Sequence, residues 1–365
     1  MKYLFYCGHP AQYLFFRETI RRLNTKGHES IILIKTKDIM EELVKSDGFD
    51  YINILPNERK NSKISIAFSL LKRNLKMLPI IFKHRPDILI GGDPSISQLG
   101  WLLRKKRFTL TEDDFPIIKP LAHLTFPFAQ AIVTPQVNNV GRYAYKKVGY
   151  EGYMKLAYLH PEVFTPDKNK PIKYGIEPKY AIIRLSRLTA HHDFGIQGLN
   201  TEMIDQIIDI LVQNKIRPYI SSEGPLDEKY KQYKLSVLPS DMHHILSQAS
   251  FLISDSQSMS VEAAILGVPS IRYSTFAGKI SVLEELEHKY GLTYGIPEGN
   301  KKQLFDKLTE VLSIRNLREE FQFRRKKMLS EKINVTAFMV WFIENYPKSI
   351  QICKNDRTFT LKNFK

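Results

Sequence analysis

Residues 254–271, SDSQSMSVEAAILGVPSI, run from the end of one apolar stretch through a helix of small residues to a second apolar stretch. The apolar stretches, FLISD and SIRYS, have the length of strands, and a helical pattern begins near Ser258. Ala263, Ala264 and Gly267 allow that helix to lie close to a sheet. The segment therefore predicts a strand, helix and strand unit of a parallel sheet.

The same alternation of strand-like and helical stretches fills most of the chain. It begins with KYLFYC and SIILIK, pauses in a segment rich in Pro and charge between Leu159 and Lys179, and restarts with YAIIRLS. We therefore predict an α/β fold of two doubly wound parallel-sheet, Rossmann-like domains that face a cleft. The predicted parts are a first domain over residues 1–160, a linker over 161–178, a second domain over 179–332, and a C-terminal helix and tail over 333–365 that pack back on the first domain.

The 365-residue chain has a formal net charge of +16, which attracts phosphorylated small molecules, anionic membranes or nucleic acids. No nucleic-acid-binding motif accompanies the charge, so we predict no nucleic-acid partner. Residues 66–86 hold an apolar helical stripe interleaved with Lys and Arg, which indicates a helix lying on an anionic membrane surface or a basic helix packed on a sheet. Two Cys and no secretory signal predict a cytoplasmic location, with peripheral attachment at the inner membrane face as an option.

Four candidate catalytic residues follow strands of the first half. His9 comes after KYLFYC and suits proton transfer near neutral pH, or else it only hydrogen-bonds a turn. Asp93 follows two glycines and orients His9 or a substrate hydroxyl, or else it forms a turn before Pro94. Glu112 and Asp113 belong to three adjacent carboxylates, whose mutual repulsion raises one pKa and suggests proton transfer or sugar-hydroxyl binding, or else they form a solvated loop.

Candidate residues for binding a phosphate or a nucleotide follow strands of the second half. Arg184, His191 and His192 offer donors to a phosphate, and a metal site at the His pair is a weaker alternative. Ser222 and Glu223 lie in a turn before a helix, which is typical of a nucleotide site and also of turn chemistry alone.

The start of the helix in the opening segment is a candidate diphosphate site. Its unpaired backbone N–H groups and partial positive charge suit an anion, and Ser256 and Ser258 add hydroxyl donors beside Met259. Glu262 lies one turn further along the same face, where it can accept hydrogen bonds from ribose hydroxyls. The alternative is that Ser258 and Glu262 only cap and solvate the helix start.

Several familiar motifs are missing from the sequence. It contains no GxGxxG, GxxxxGK[ST], GxSxG or HExxH pattern, which disfavours a dinucleotide oxidoreductase, an ATPase or a hydrolase. We therefore predict no cofactor and no metal site.

In this order, these residues resemble the GT-B group, which includes nucleotide-sugar glycosyltransferases and UDP-N-acetylglucosamine 2-epimerases. The closer resemblance is to the family called domain of unknown function 354. It is carried by GHPAQYLFFRETIRRLNTKGHE, LTFPFAQAIVTP, KLAYLHPEVFTPD, IIRLSRLTAHHD and SMSVEAAILGVPSI.

The resemblance implies that the second half binds the nucleotide-sugar and the first half binds the acceptor. It implies contacts of the segment from Val237 to Met242 with the base, of Ser256 to Met259 with the diphosphate, and of Glu262 with the ribose. Related proteins usually carry two glycines where Ser256 and Gln257 stand, and larger side chains would crowd a phosphate.

The favoured hypothesis is a metal-independent glycosyltransferase of polysaccharide biosynthesis that transfers a sugar from a nucleotide-sugar to a glycan or lipid-linked acceptor. His9, Asp93 or Glu112 would deprotonate the acceptor hydroxyl. Arg184 and His192, together with the start of the helix, would neutralise the leaving diphosphate.

Two alternatives belong to other function classes. A nucleotide-sugar 2-epimerase would use Asp93, Glu112 and Asp113 for proton transfer and would need no acceptor. A non-catalytic binder of nucleotides or anionic polymers would bind without turnover.

Overall fold

The computed structural model describes residues 1–36, 39–55, 63–185 and 198–365, with the backbone alone for residues 63–68. The chain divides into two compact units, one formed by Met1–Val163 with Glu331–Lys365 and the other by Phe164–Ser330. Each unit contains one parallel sheet with connecting helices, which confirms the predicted α/β fold class of two Rossmann-like domains. Of the segment predicted as a linker, residues 164–178 belong to the second unit and include a short helix, Lys170–Lys173.

The first unit contains a seven-stranded sheet whose strands all pair in parallel. Its elements, in chain order, are β1 (Lys2–Cys7), α1 (Pro10–Thr25), β2 (Glu29–Lys35), α2 (Met40–Ser46), β3 (Ile52–Leu55), α3 (Lys63–His84), β4 (Ile88–Gly91), α4 (Pro94–Leu102), β5 (Lys106–Leu110), α5 (Lys119–Thr125), β6 (Ile132–Pro135), β7 (Lys147–Tyr150) and α6 (Leu156–Leu159). The strand order is β3-β2-β1-β4-β5-β6-β7. Strands such as β1 and β4 are almost entirely buried, because helices cover both faces of a doubly wound sheet.

The second unit contains a five-stranded sheet, also parallel throughout. Its elements are α7 (Lys170–Lys173), β8 (Tyr180–Leu185), α8 (Thr201–Gln213), β9 (Arg217–Ser222), α9 (Met242–Gln248), β10 (Phe251–Ser254), α10 (Gln257–Leu266), β11 (Ser270–Tyr273), α11 (Ser281–Glu284), β12 (Tyr294–Ile296), α12 (Lys301–Leu312) and α13 (Leu317–Ser330). The strand order is β12-β11-β10-β8-β9. A π-helical turn, Glu285–Lys289, follows α11 directly.

The last helices of the chain pack on the first unit. They are α14 (Val335–Glu344), α15 (Lys348–Asn355) and α16 (Phe359–Phe364). Phe338 of α14 contacts Tyr150 with ring centroids 5.6 Å apart, and Phe342 contacts Phe108 at 5.2 Å. The aromatic residues of α14 therefore find the apolar partner surface that their sequence demands.

Each sheet has one place where consecutive connections turn to opposite sides. In the first sheet this switch point lies between β1 and β4, and in the second between β8 and β10. Ligands of open α/β sheets bind outside the carboxyl ends of the strands at such a point. Two strands, β7 and β12, are not predicted from the sequence, because they are short edge strands with a Gly in each.

Candidate functional site

The switch point of the first sheet brings two predicted residues onto neighbouring strand ends. His9 follows β1 and Asp93 follows β4, and these strands are paired. The Gln12 carboxamide oxygen accepts the Gly8 N–H at 2.9 Å. A Cβ on Gly92 would lie only 2.9 Å from the Leu110 carbonyl oxygen, so this close approach of β4 to the end of β5 requires Gly.

His9 forms the N-cap of α1. Its Nδ1 accepts the Ala11 N–H at 3.2 Å, directly before Pro10 opens the helix. A neutral imidazole that accepts at Nδ1 carries its proton on Nε2 and is a donor there. In this arrangement His9 can donate a hydrogen bond through Nε2. To act as a base through Nδ1, it would first have to lose its hydrogen bond to the Ala11 N–H.

Asp93 is held by two interactions. Its carboxylate caps α4 by accepting the Ser95 N–H at 2.9 Å, and it lies 3.1 Å from the Arg73 guanidinium of α3. Both charged side chains are largely buried. Burial raises the pKa of the neighbouring Tyr6 hydroxyl, the Asp93 charge adds to that rise, and Arg73 opposes it. Asp93 is thus a fixed negative charge that Arg73 balances.

Glu112 is also paired. It accepts the Met154 N–H at 2.6 Å, and its other carboxylate oxygen forms a short ion pair with the Lys155 ammonium. About a tenth or less of each paired side chain is exposed. The pair therefore fixes the end of β5 to the segment before α6, with its charges largely removed from water.

Asp113, the next residue, differs from both. More than a third of it is solvent-accessible, and within the described ranges its carboxyl makes no hydrogen bond or ion pair. The protein atoms around its carboxyl raise its pKa, Lys155 opposes the rise, and the Glu112 and Asp114 carboxylates add to it. Of the four predicted catalytic residues, Asp113 is the one that is exposed to solvent and whose carboxyl has a raised pKa.

A row of polar residues crosses the carboxyl ends of the second sheet. Strand pairing aligns Ser221, Arg184, Ser254 and Arg272 on β9, β8, β10 and β11. Paired residues of neighbouring strands point to the same face of a sheet. The row therefore places two arginines on one face, on either side of Ser254 and about 10 Å apart at the backbone.

The two arginines differ in their partners. Arg184 donates to the Ser221 hydroxyl at 2.8 Å and to the Glu223 carboxylate at 2.5 Å. Arg272 is fully buried, and none of its three guanidinium nitrogens has a hydrogen-bond partner in the described chain. A buried charged donor without a partner is costly, which makes Arg272 the clearest candidate ligand-binding group that the sequence analysis missed.

Two acidic side chains moderate the charge of Arg272. A Cβ on Gly295 would lie 2.7 Å from Arg272 Nη2 and 3.2 Å from Glu287 Oε2, so both groups border the same small space. Burial lowers the Arg272 pKa, and Glu287 and Glu284 oppose that change. Burial also raises the Glu287 pKa, although Glu287 accepts the Gly295 N–H at 2.8 Å.

The start of α10 lies beside this row. Ser256 is the N-cap, its hydroxyl accepts the Met259 N–H at 3.5 Å, and its own N–H donates to Ser254 Oγ at 2.8 Å. The Ser256 hydroxyl can still donate its proton to a phosphate oxygen. Ser258 lies half-buried in the first turn.

Gln257 directs its side chain to Ser274, whose hydroxyl accepts from Gln257 Nε2 at 2.7 Å. The other end of the same amide, Oε1, is buried with no partner within the described residues. The extra side chain at this position is thus anchored beside β11, at the residue that follows the strand.

Glu262 lies inside the unit, with only 7% of its surface exposed. Its carboxylate is 3.4 Å from Nε2 of His243, which follows the segment of Val237 to Met242. The structure therefore brings the predicted ribose residue and the predicted base segment together through His243, which the sequence analysis did not single out.

The remaining predicted residues have clear positions or lie outside the description. Ser222 turns back on Gly224, whose N–H it accepts at 3.1 Å. Val237 and Met242 are half-buried. Between them lies Asp241, which accepts from Lys170 and Tyr174 at 2.7 Å each. His191 and His192 lie outside the described residues.

One group of potential metal ligands occurs in the described chain. Ligand atoms of Glu284, Glu287 and His288 lie within 4.8 Å of one another. Both carboxylates already accept backbone N–H groups, from Gly278 and Gly295, and the Arg272 cation is close by. This environment does not favour a further cation.

The fold has extensive similarity to solved structures. MnaA of S. aureus, solved with UDP, is 13% identical and has a TM-score of 0.68, with 96% of this chain and 98% of that chain covered. UDP-GlcNAc 2-epimerase from Neisseria meningitidis, bound to UDP-GlcNAc, is 12% identical with a TM-score of 0.65, covering 94% and 99%. The kitacinnamycin glycotransferase is 12% identical with a TM-score of 0.59, covering 96% and 98%.

At this level of identity the similarity establishes the fold, which is shared by epimerases and glycosyltransferases. No protein-family model matches the sequence, and the comparison with curated proteins gives no match. The narrower resemblance to the domain of unknown function 354 family stays a prediction.

Proposed function

We propose that this protein is an enzyme that binds a nucleotide-sugar through its second unit and transfers the sugar to a glycan or lipid-linked acceptor bound by its first unit. The observation that carries the proposal is the row of Arg184, Ser254 and Arg272 beside the start of α10. Two guanidinium groups and a helix N-terminus suit a diphosphate. The presence of UDP and UDP-GlcNAc in two proteins of the same fold supports this class of ligand.

In the proposed reaction, the acceptor hydroxyl oxygen bonds to the anomeric carbon while the bond from that carbon to the diphosphate breaks. Asp113 takes the hydroxyl proton, because the residue is exposed to solvent and the protein atoms around its carboxyl raise its pKa. Arg184, Arg272 and the α10 N–H groups stabilise the departing diphosphate. No metal or cofactor is assigned a role in this reaction.

The paired residues have supporting roles in the same proposal. His9 donates a hydrogen bond through Nε2, while Asp93 and Glu112 hold the strand ends and accept from sugar hydroxyls. Glu262 accepts from the ribose, and its contact with His243 positions it. The corresponding biological proposal is a cytoplasmic role in polysaccharide biosynthesis, for a protein related to the domain of unknown function 354 family.

A nucleotide-sugar 2-epimerase is the second candidate. Adjacent carboxyl groups favour it, since Glu112 is held as the partner of Lys155 while the Asp113 pKa is raised. An epimerase needs one group that removes a proton and one that returns it, and differently tuned neighbours can supply both.

One experiment separates these functions. The full chain is first screened by thermal shift against nucleotides and nucleotide-sugars, because a ligand of the folded state raises its stability. The donor that binds is then incubated with and without lipid and glycan extracts. Nucleoside diphosphate release that requires an extract supports transfer, whereas conversion of the sugar without any extract supports epimerisation.

Two variants make the result specific. Asp113→Asn should lower turnover roughly a hundredfold or more if Asp113 transfers the proton. Asp50→Asn changes another exposed acid, which precedes β3 and so lies at the opposite end of the sheet, and should leave turnover unchanged. Binding without turnover would indicate a non-catalytic binder, and no shift with any nucleotide would contradict the proposal.

A further inference from the structure

Three neighbouring helices of the first unit expose large apolar side chains. Asn74 of α3 donates to Gln98 of α4 at 3.2 Å, and Gln98 donates to the Leu124 carbonyl of α5 at 3.0 Å, so the helices lie side by side. Their exposed apolar residues form what we call the apolar helical face, represented by Leu71, Leu75, Phe82, Trp101, Leu102 and Leu124. Leu75 and Leu102 keep more than 60% of their surface exposed, and a group of such side chains on one surface is typical of an interaction site.

The face is built from helical periodicity in α3. Leu71, Leu75 and Phe82 are spaced by four and seven residues, which places them on one stripe. Met77 and Ile81 are buried on the other side of the same helix. The helix thus has two apolar sides, and only one of them is used by the core of the unit.

Basic residues border the exposed stripe. Lys72, Lys76 and Lys83 each follow a stripe residue by one position, which rotates them by about 100° to its flank, and all three are exposed. Residues 63–110 contain ten Lys and Arg but only two Asp and no Glu. Asp93 is paired with Arg73, and Asp87 accepts the Lys2 N–H. The exposed surface of these helices is therefore apolar and basic together.

A depression of about 550 Å³ lies at the end of α4, lined by Trp101, Leu102, Arg104, Arg107 and Gln130. The Trp101 ring packs against Phe128 with centroids 5.5 Å apart, which fixes its position. The exposed Arg104 adds a cation, whereas Arg107 already donates to the Gly100, Lys105 and Phe128 carbonyls. Trp and Arg are favoured at the boundary between lipid and water, where the ring meets acyl chains and the guanidinium meets phosphate.

We propose that the apolar helical face docks the first unit on a bilayer that contains anionic lipid. The apolar stripe enters the outer part of the bilayer while its lysine border binds the anionic headgroups. No helix in the described part of the chain is both long and apolar enough to cross a bilayer. The contact is therefore peripheral, and it does not depend on the chemistry proposed above.

The lysine border argues against a second copy of the chain as the occupant. A symmetric dimer brings the same surface of both copies together, so it would place six lysines, Lys72, Lys76 and Lys83 of each copy, in or beside one interface. Like charges brought together at an interface repel. An anionic bilayer gains from the same lysines.

Vesicle co-sedimentation tests the proposal with the full chain. The vesicles contain phosphatidylcholine alone or phosphatidylcholine mixed with phosphatidylglycerol. We expect roughly tenfold or greater preference for the mixed vesicles, lost at high salt, because each lysine near an anionic surface adds to the affinity. Equal sedimentation with both vesicle types, or none with either, would overturn the proposal.

Substitutions then locate the contact. Leu75→Ser with Phe82→Ser, and separately Lys72→Gln with Lys76→Gln and Lys83→Gln, should each lower vesicle binding about tenfold or more. Val212→Ser with Phe323→Ser changes exposed apolar residues of the second unit and serves as the control. Thermal unfolding verifies that every variant is folded.

Two results would contradict the assignment of this face. One is a loss of binding in the control equal to the loss in the α3 variants. The other is a wild-type dimer that Leu75→Ser with Phe82→Ser converts to a monomer, since that would assign the face to a second copy. Nucleotide-induced thermal shifts should be the same in the α3 variants and the wild type, which separates this proposal from the enzymatic one.

Discussion

Two acids at the strand ends of the first sheet and one arginine at the strand ends of the second sheet differ in their pairing. In the first unit, Asp93 and Glu112 have the counter-charges Arg73 and Lys155 within the same unit. In the second unit, the buried Arg272 has no hydrogen-bond partner among the described residues, and the carboxylate of Glu287 borders it without a hydrogen bond. Asp93 and Glu112 are balanced by cations of the chain, whereas Arg272 has donors to offer to a ligand.

The difference indicates how the two strand ends act in the proposed reaction. Each paired charge holds its partner in place, so the proposed role of the first unit is to orient the acceptor hydroxyl. A buried guanidinium with unused donors gains most from an anion, so the second unit is suited to a diphosphate. The four predictions that follow test this contrast in order of decreasing effect.

The largest effect is expected from breaking a pair in the first unit. Glu112→Gln leaves the buried Lys155 without its counter-charge and should lower the free energy of unfolding by about 3 kcal/mol. Denaturant unfolding measures the change. Glu112→Gln combined with Lys155→Met removes both charges and should recover most of the loss. A double variant as unstable as the single one would show that the ion pair is not the cause.

Arg272→Met, in the second unit, should lower the affinity for a ligand and should not lower the stability of the ligand-free protein. The free energy of unfolding without ligand should not fall, because no hydrogen bond of the described chain is lost and a buried donor without a partner is removed. Affinity for a nucleoside diphosphate should fall roughly tenfold, as expected for the loss of a charged hydrogen bond. Calorimetric titration checks the affinity, with Arg217→Met as the control. Lower stability with unchanged affinity would make Arg272 a structural partner of Glu287.

Gln257→Gly tests whether the side chain at the helix start obstructs the phosphate. The variant loses the hydrogen bond to Ser274 and gains backbone freedom, so the free energy of unfolding should fall by about 1 kcal/mol. Because Gln257 is anchored at Ser274, nucleotide affinity should change less than about threefold, which is under 1 kcal/mol. A much tighter complex would mean that the side chain blocks the site.

The smallest effect is expected for the contribution of Asp113 to the pH dependence of the free energy of unfolding. Its pKa in the folded protein lies above the value of about 3.9 in an unfolded chain, so the folded state holds this proton more firmly. The resulting contribution of Asp113 to the free energy of unfolding is present at pH below the pKa of the unfolded chain, and it is lost as the pH rises through the pKa of the folded protein. Unfolding at a series of pH values should show a smaller decline across that range in Asp113→Asn than in the wild type. Identical profiles would contradict the raised pKa.

The sequence predicted the elements that carry the site because their patterns are local. A pattern of fewer than ten positions is enough to recognise each of the apolar strands β1, β4, β8 and β10 and the small residues of α10. Their order also predicted the parallel sheets and hence which residues stand at strand ends. The sequence also contains a signal for Arg272, because a single Arg inside the apolar stretch SIRYS is unusual for a buried strand.

The pairing of charges could not be read in the same way. Arg73 lies 20 residues before Asp93 and Lys155 lies 43 residues after Glu112, and no local pattern joins them. His243 and Glu262 come together only because α9 and α10 pack against each other. A side chain's partner depends on where distant segments meet, and the spacing of residues along the chain does not encode it.

By itself, the sequence determined the alternation of strands and helices and the chemical types present at each strand end. These follow from side-chain size, polarity and period, which act over a few residues. The tertiary structure decided which charges are neutralised inside the protein and which keep donors for a ligand. It also decided which side of α3 is left exposed, because burial and pairing depend on contacts between segments far apart in the chain.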